Sequence, residues 1–90
     1  MINEALIKEF GLRIRQLRIE VKDMSQAELA AATGFHSTYI GMIERGERNI
    51  SLANMAVFAK VFEMTVSELL NFSAINPKHS FKKYETKTED

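Results

Sequence analysis

The sequence contains no cysteine, only one proline and four glycines in 90 residues. Without cysteine, neither a disulfide framework nor a thiolate metal site can form. The two histidines, His36 and His79, are too few and too far apart in the sequence to indicate a metal site. We therefore expect no metal and no cofactor.

Neither sign of charge is in excess, because 12 basic and 12 acidic residues give a formal net charge of 0. This balance argues against a protein that binds nucleic acid through bulk positive charge, so any such contact must come from one local face. No apolar run approaches the roughly 18 residues of a membrane span, and the N-terminus lacks a signal-peptide pattern. We expect one small cytoplasmic domain without membrane contact.

The apolar residues recur with a helical period, and no strand alternation is visible. The sequence predicts an all-α domain of five helices within residues 1–72. The first helix, predicted over residues 3–21, carries an apolar stripe formed by Leu6, Phe10, Leu17 and Val21.

The next two helices are predicted from their start and stop signals. Ser25 and Glu28 have the spacing of a capping box that opens the second helix. Gly34 ends it, because glycine tolerates a left-handed C-terminal cap. The third helix then begins almost at once, with His36 or Ser37 as its cap.

Two more helices and a polar segment complete the chain. Ser51 caps the fourth helix, and Thr65 with Glu68 forms a second capping box for a short fifth helix ending near Phe72. The apolar pattern dissolves in residues 73–90, which predicts a mobile tail. The alternative is an ordered extension that docks its two aromatic residues.

Two short helices joined by a tight glycine turn form a helix-turn-helix, whose second helix enters the major groove of DNA. Ile40 and Ile43 would hold that helix on the core. The residues expected to point outward are Ser37, Thr38, Gly41 and Met42. Short polar side chains in the first turn read base edges, and apolar ones contact thymine methyl groups. A motif of this kind can also be a purely structural device.

The segment SQAELAAATGFHSTYIGMIERGERNISL resembles the lambda-repressor-like (Cro/CI or Xre-type) DNA-binding family. The segment LANMAVFAKVFEMTVSELL is similar to that family's last two helices, so the resemblance covers residues 8–71. Within the family, TYIGMIERGERN looks most like restriction–modification controller proteins, with phage repressors and antitoxins as the other branches. The link over residues 20–24 is longer than usual, and Glu63 replaces a common glycine.

The resemblance implies a set of DNA-contacting residues: Gln26, His36, Ser37, Thr38, Tyr39, Met42, Arg45, Arg48 and Asn49. The resemblance implies that Ser37, Thr38 and Met42 face the bases and that His36 lies at the start of the recognition helix. Gln26 would contact a phosphate, and Tyr39 would flank the DNA backbone. The loop residues Arg45, Arg48 and Asn49 would contact phosphates or reach a neighbouring groove. The resemblance also implies an ion pair between Arg18 and Glu44. Simpler interpretations remain open, with His36 as a helix cap, Tyr39 as a half-buried core residue, and the arginines as solvated charges.

A second apolar stripe occurs on the fourth helix, where Ala53, Val57 and Val61 are spaced four residues apart. We expect it to face away from the core. An additional apolar face on a small domain indicates an interface. The predicted homodimer interface consists of Val57, Val61, Val66, Leu70 and Phe72. The alternative is a slightly apolar surface with no partner.

Together these features predict a sequence-specific DNA-binding transcriptional regulator. It would bind double-stranded DNA at a near-palindromic operator as a homodimer, with its third helix in the major groove. No histidine, carboxylate and nucleophile set indicates an enzyme. The alternative function is an antitoxin or another protein-interaction module of the same fold, for which residues 73–90 are the candidate partner-binding segment.

Overall fold

The computed structural model describes residues 3–74, which form five α-helices with no β-strand among them. In chain order these are α1 Glu4–Gln16, α2 Gln26–Thr33, α3 Ser37–Glu44, α4 Leu52–Val61 and α5 Val66–Leu69. A π-helical segment, Leu17–Val21, continues α1, and a 3₁₀ turn, Phe72–Ala74, follows α5. The all-α, five-helix prediction is confirmed. The predicted tail lies outside the described residues, apart from its first two positions.

The predicted start and stop signals of α2 are confirmed. The hydroxyl of Ser25 accepts the N–H of Glu28 at 3.0 Å, and the Glu28 carboxylate accepts the N–H of Ser25 at 2.7 Å. Gly34 ends the helix with a φ of 81°, which glycine adopts without steric cost. The same reciprocal capping box, formed by Thr65 and Glu68, opens α5.

The first helix widens at its end. The N–H of Lys22 bonds to the carbonyl of Leu17 at 3.1 Å, and the N–H of Met24 bonds to the carbonyl of Arg18 at 2.9 Å. A π-helical turn takes up more residues than an α-helical one. This widening therefore accommodates the long link before α2, and Asp23 leaves the helix with a φ of 52°.

One apolar core joins all five helices. Its buried side chains are Phe10, Ile14, Leu17, Leu29, Ala30, Ile40, Ile43, Ile50, Phe58, Ala59, Phe62 and Leu69. The two ends of the predicted first stripe are outside this core, since Leu6 is 49% and Val21 59% exposed. Val21 lies in the π-helical segment, where the angular spacing changes, and Leu6 lies beside an open groove. No helix in residues 3–74 is long and apolar enough to cross a membrane.

Helix α5 has only four residues and is too short to be stable alone. The buried Arg13 of α1 holds it, because its guanidinium donates to the carbonyl oxygens of Leu69 at 3.0 Å and Glu68 at 2.7 Å. Burial lowers the pKa of Arg13 from its ordinary value. The sequence pattern does not reveal this role, because arginine is expected at the surface.

Helix α1 packs closely on the end of α3 at Gly11. A methyl group on Gly11 would lie 2.3 Å from the carbonyl oxygen of Ile43 and 2.7 Å from that of Glu44. These are backbone atoms of a helix and cannot turn aside as a flexible side chain does. The close approach of the two helices therefore requires glycine at this position.

Gly11→Ala should lower the free energy of unfolding by about 1–3 kcal/mol, because overpacking outweighs the gain in helix propensity. Urea unfolding followed by circular dichroism measures this difference. Gly41→Ala is the matched control, because a methyl group there meets the flexible end of Arg45 at 3.0 Å and the side-chain oxygen of Gln26 at an ordinary contact distance of 3.6 Å. The control should be at least as stable as the wild type. A Gly11→Ala variant of unchanged stability would contradict the packing argument.

Candidate nucleic-acid interface

The turn between α2 and α3 is anchored by an aromatic side chain. After the left-handed Gly34, Phe35 packs half-buried against the core. Its ring meets that of Tyr39 edge-on, with 5.1 Å between centroids. This contact ties the turn to the first part of α3.

His36 is the N-cap of α3. Its Nδ1 accepts the backbone N–H of Thr38 at 3.1 Å, so the interpretation of His36 as a helix cap describes its role in the fold. Ser37, the other candidate cap, is the first residue of the helix. The Nε2 side of the exposed imidazole takes no part in this cap.

A buried hydrogen-bond network joins the first helix, α2 and α3. Arg18 donates to the two carboxylate oxygens of Glu44 at 2.6 and 3.0 Å, and to the carbonyl of Met24 at 2.9 Å. The side chains of Arg18 and Glu44 are only 9% and 3% exposed. Gln26 donates from its amide to the same carboxylate at 3.1 Å. The ion pair that the family resemblance implies is therefore present, and it extends to the first turn of α2.

Gln26 connects this network with the outer surface. One of its amide hydrogens is committed to Glu44, while its Oε1 lies 3.6 Å from the point where a methyl group on Gly41 would be. Its second amide hydrogen and the backbone N–H groups of Gln26 and Ala27 lie at the N-terminus of α2, where the N–H of Glu28 is already bonded to the Ser25 cap.

The outer face of α3 contains a shallow polar depression of about 320 Å³. It is lined by Gln26, Ser37, Thr38, Gly41 and Arg45. Ser37 and Thr38 are exposed, whereas Ile40 and Ile43 on the opposite face are almost fully buried, and Met42 is half-buried. Within residues 3–74, no group of histidines and carboxylates is placed to hold a metal ion. The depression offers hydrogen-bonding groups on a fixed helix.

Arg45, the C-cap of α3, folds back onto this face. Its Nε donates to Glu47 Oε2 at 3.0 Å and its Nη2 to Glu47 Oε1 at 3.2 Å. Hydrogen bonding to Glu47 raises the pKa of Arg45, and the same bonds lower the pKa of Glu47. The family resemblance implies a loop arginine near phosphates. In the structure its guanidinium lies beside Gly41, paired with a carboxylate.

Arg48 lies over the ring of Tyr39, with 5.1 Å between its Cζ and the ring centroid, which is a cation–π contact. Tyr39 is half-buried against the core, and its hydroxyl accepts a hydrogen bond from Asn54 of α4 at 2.9 Å. Asn49 is exposed next to Arg48. Tyr39 is thus both a core residue and a platform for the arginine. The sequence does not predict the hydrogen bond between Asn54 and Tyr39, because nothing near Asn54 in the sequence indicates a partner on α3.

Comparison with known proteins places this geometry in a family. A helix-turn-helix family model matches residues 14–69. The chain belongs to the helix-turn-helix family. The control protein C.BamHI of Bacillus amyloliquefaciens is 42% identical over 66 residues, 73% of this chain and 82% of that protein. The control protein C.MunI of a Mycoplasma species is 39% identical over 62 residues, 69% of this chain and 84% of that protein.

A solved structure gives the same result for the fold. The restriction-modification controller protein C.AhdI from Aeromonas hydrophila matches with a TM-score of 0.66 and 40% identity. The match covers 70% of this chain and 94% of that one. The resemblance to Xre-type domains and to restriction–modification controller proteins is therefore confirmed.

This helix-turn-helix domain also has an apolar groove of about 290 Å³ between α1 and the end of α5. Leu6, Met55, Leu70 and Phe72 are among the residues that line it. Leu70, at 37% exposure, and Phe72 belong to the predicted dimer interface. Leu6 and Met55 line the same groove, and the helical spacing on α4 does not indicate this.

The apolar stripe expected on α4 is only partly exposed to solvent. Val61 and Val66 are half-buried against the core, and Val57 is half-buried as well. The expectation that Val61 faces away from the core is wrong. The reason is that α5 folds back onto α4, which widens the buried arc of α4 beyond the stripe that a helical wheel predicts.

Removing one partner of the buried ion pair should leave the other charge uncompensated. Arg18→Met should lower the free energy of unfolding by about 3–5 kcal/mol, measured by urea unfolding. The double variant Arg18→Met/Glu44→Leu should recover most of that loss, because no buried charge remains.

Lys22→Met is the matched control, because it breaks an ion pair of 3.5 Å between the half-buried Lys22 and the exposed Glu63. This control should change the free energy of unfolding by less than about 1 kcal/mol. A double variant no more stable than Arg18→Met would show that the uncompensated charge is not the cause.

Proposed function

We propose that this protein is a sequence-specific DNA-binding transcriptional regulator. It binds a near-palindromic operator as a homodimer, with α3 of each protomer in the major groove. The observation that carries the proposal is the polar depression on α3, where exposed hydrogen-bonding groups lie on a helix whose opposite face is buried. The relatives are control proteins, which favours the same role.

The residues on α3 have the chemistry of direct base readout. The hydroxyl groups of Ser37 and Thr38 donate and accept hydrogen bonds, and a guanidinium such as that of Arg45 matches the O6 and N7 atoms of guanine. Gly41 has no side chain, so a base edge can approach the helix closely. Met42 supplies apolar surface for a thymine methyl group.

Phosphate contacts would flank the groove on both sides. Gln26 begins α2, and the N-terminus of a helix attracts phosphate. Arg48 and Asn49 follow α3, and the ring of Tyr39 already orients Arg48, so this arginine loses little freedom on binding. With a formal net charge of 0, the salt dependence should come from these few contacts.

Dimer formation would use the apolar side chains of the groove and leave Arg48 and Asn49, which also line it, to the DNA. Leu6 and Leu70 are 49% and 37% exposed beside Met55 and Phe72, and Val57 lies on the adjoining α4. A second copy of the same face, related by a two-fold axis, would cover these side chains. The two recognition helices would then read half-sites about 34 Å apart, one turn of DNA.

Selection from a randomised duplex pool at two salt concentrations should enrich a near-palindromic sequence. Thr38→Ala should reduce discrimination at the base it contacts by about tenfold, because a hydrogen bond to the base edge is lost. Arg48→Ala should weaken binding to all duplexes alike and make the salt slope shallower by about one, because a phosphate contact is lost.

Lys60→Ala controls for the loss of one positive charge, because Lys60 is exposed on α4 outside the proposed interface. It should leave both the affinity and the salt slope unchanged. A pool with no enriched sequence, together with binding that disappears at moderate salt, would refute the proposed function.

Leu70→Glu should convert the dimer into a monomer, because a buried carboxylate in an apolar interface lacks a partner. Sedimentation equilibrium at protein concentrations on the order of tens of micromolar measures this change. Leu52→Glu is the matched control, because Leu52 is 70% exposed and lies outside the groove. A monomeric wild type that still binds the selected operator would rule out the dimer.

A further inference from the structure

An acidic side chain, Glu47, lies against the proposed DNA-binding face. Its carboxylate accepts two hydrogen bonds from Arg45, at 3.0 and 3.2 Å. A negative charge beside an arginine of a DNA-binding face opposes the approach of phosphates. The position of Glu47 therefore requires a physical explanation.

The end of α3 fixes the backbone of Glu47. The N–H of Gly46 bonds to the carbonyl of Ile43 at 3.0 Å, and the N–H of Glu47 bonds to the carbonyl of Met42 at 2.8 Å. With a φ of 74° at Gly46, these bonds form a Schellman motif. The turn also packs on α1, because a methyl group on Gly46 would lie 2.6 Å from Cγ of Lys8. The backbone of Glu47 is thus fixed relative to the last turn of α3.

The ion pair with Glu47 uses the two hydrogen-bond donors through which Arg45 would bind DNA. Nε and Nη2 form a two-donor edge of the guanidinium, which binds a phosphate or a carboxylate through two parallel hydrogen bonds. Both donors are bonded to Glu47 in the free protein. Arg45 can offer this edge to DNA only after it leaves the carboxylate.

We propose that Glu47 is a specificity-determining residue that competes with DNA for Arg45. This inference rests on the proposed DNA-binding function. On a duplex of unrelated sequence, Arg45 keeps its ion pair and contributes little to binding. At the operator, well-placed acceptors replace the carboxylate, and Lys8 supplies positive charge near Glu47 once Arg45 has left it.

Glu47→Gln tests the competition, because it keeps the size of the side chain and removes its charge. The affinity for the selected operator should rise about fivefold, because the wild type must break the ion pair there, and the affinity for a duplex of scrambled sequence should change less than about twofold. The ratio of operator affinity to scrambled-duplex affinity should therefore rise. Fluorescence anisotropy with both duplexes, at one fixed salt concentration, measures it.

Two controls separate competition from general electrostatics. Glu63→Gln also raises the net charge by one, at an exposed site paired with Lys22, and should leave the ratio of affinities unchanged. In the Arg45→Ala background, Glu47→Gln should have no effect on that ratio, because the carboxylate then has no arginine to withhold.

The outcomes are distinct. If Glu47→Gln raises both affinities by the same factor, or acts equally without Arg45, Glu47 is a source of general repulsion and the inference is overturned. Binding of the wild type to both duplexes is measured first. If the wild type shows no preference for the selected operator, both the proposed function and the inference are contradicted. If the wild type shows a clear preference and Glu47→Gln leaves that preference unchanged, only the inference is contradicted.

Discussion

The buried ion pair between Arg18 and Glu44 is the constraint on which the position of α3 depends. Two charges in a protein interior are tolerated only when their hydrogen-bonding groups find partners, and here Met24 and Gln26 complete the set. A shift of α3 against the first helix, or of α2 against α3, would break at least one of these bonds. The network therefore selects one arrangement of the three helices, and that selection matters more than its net contribution to stability.

Helix α3 is fixed at both ends and along its inner face, which leaves only its outer face for binding. His36 caps its start, the turn at Gly46 closes its end, and Gly11 lets α1 approach its last turn. Ile40 and Ile43 bury the inner face. Polar groups on a helix held in this way lose little freedom when they bind, which favours selective recognition.

The candidate site was predictable where its position follows from helical periodicity. Ser37 and Thr38 lie opposite the apolar Ile40 and its neighbours, so their exposure follows from the order of the residues. The partners of the two surface arginines did not follow from this order. The positions of Glu47 against the guanidinium of Arg45 and of Tyr39 beneath the other arginine depend on how the turn after α3 folds back.

The sequence by itself determined where α2 begins and ends and where α4 and α5 begin, because caps such as Ser25 and stops such as Gly34 act on residues only three or four positions away. Only the tertiary structure decided which helix faces meet. Arg13 is hydrogen-bonded to α5, more than fifty residues further along the chain. Gly11 allows the end of α3 to pack closely on α1. Val61 is half-buried against the core, where α5 folds back onto α4. Contacts between segments far apart in the chain depend on packing, which periodicity and local spacing do not encode.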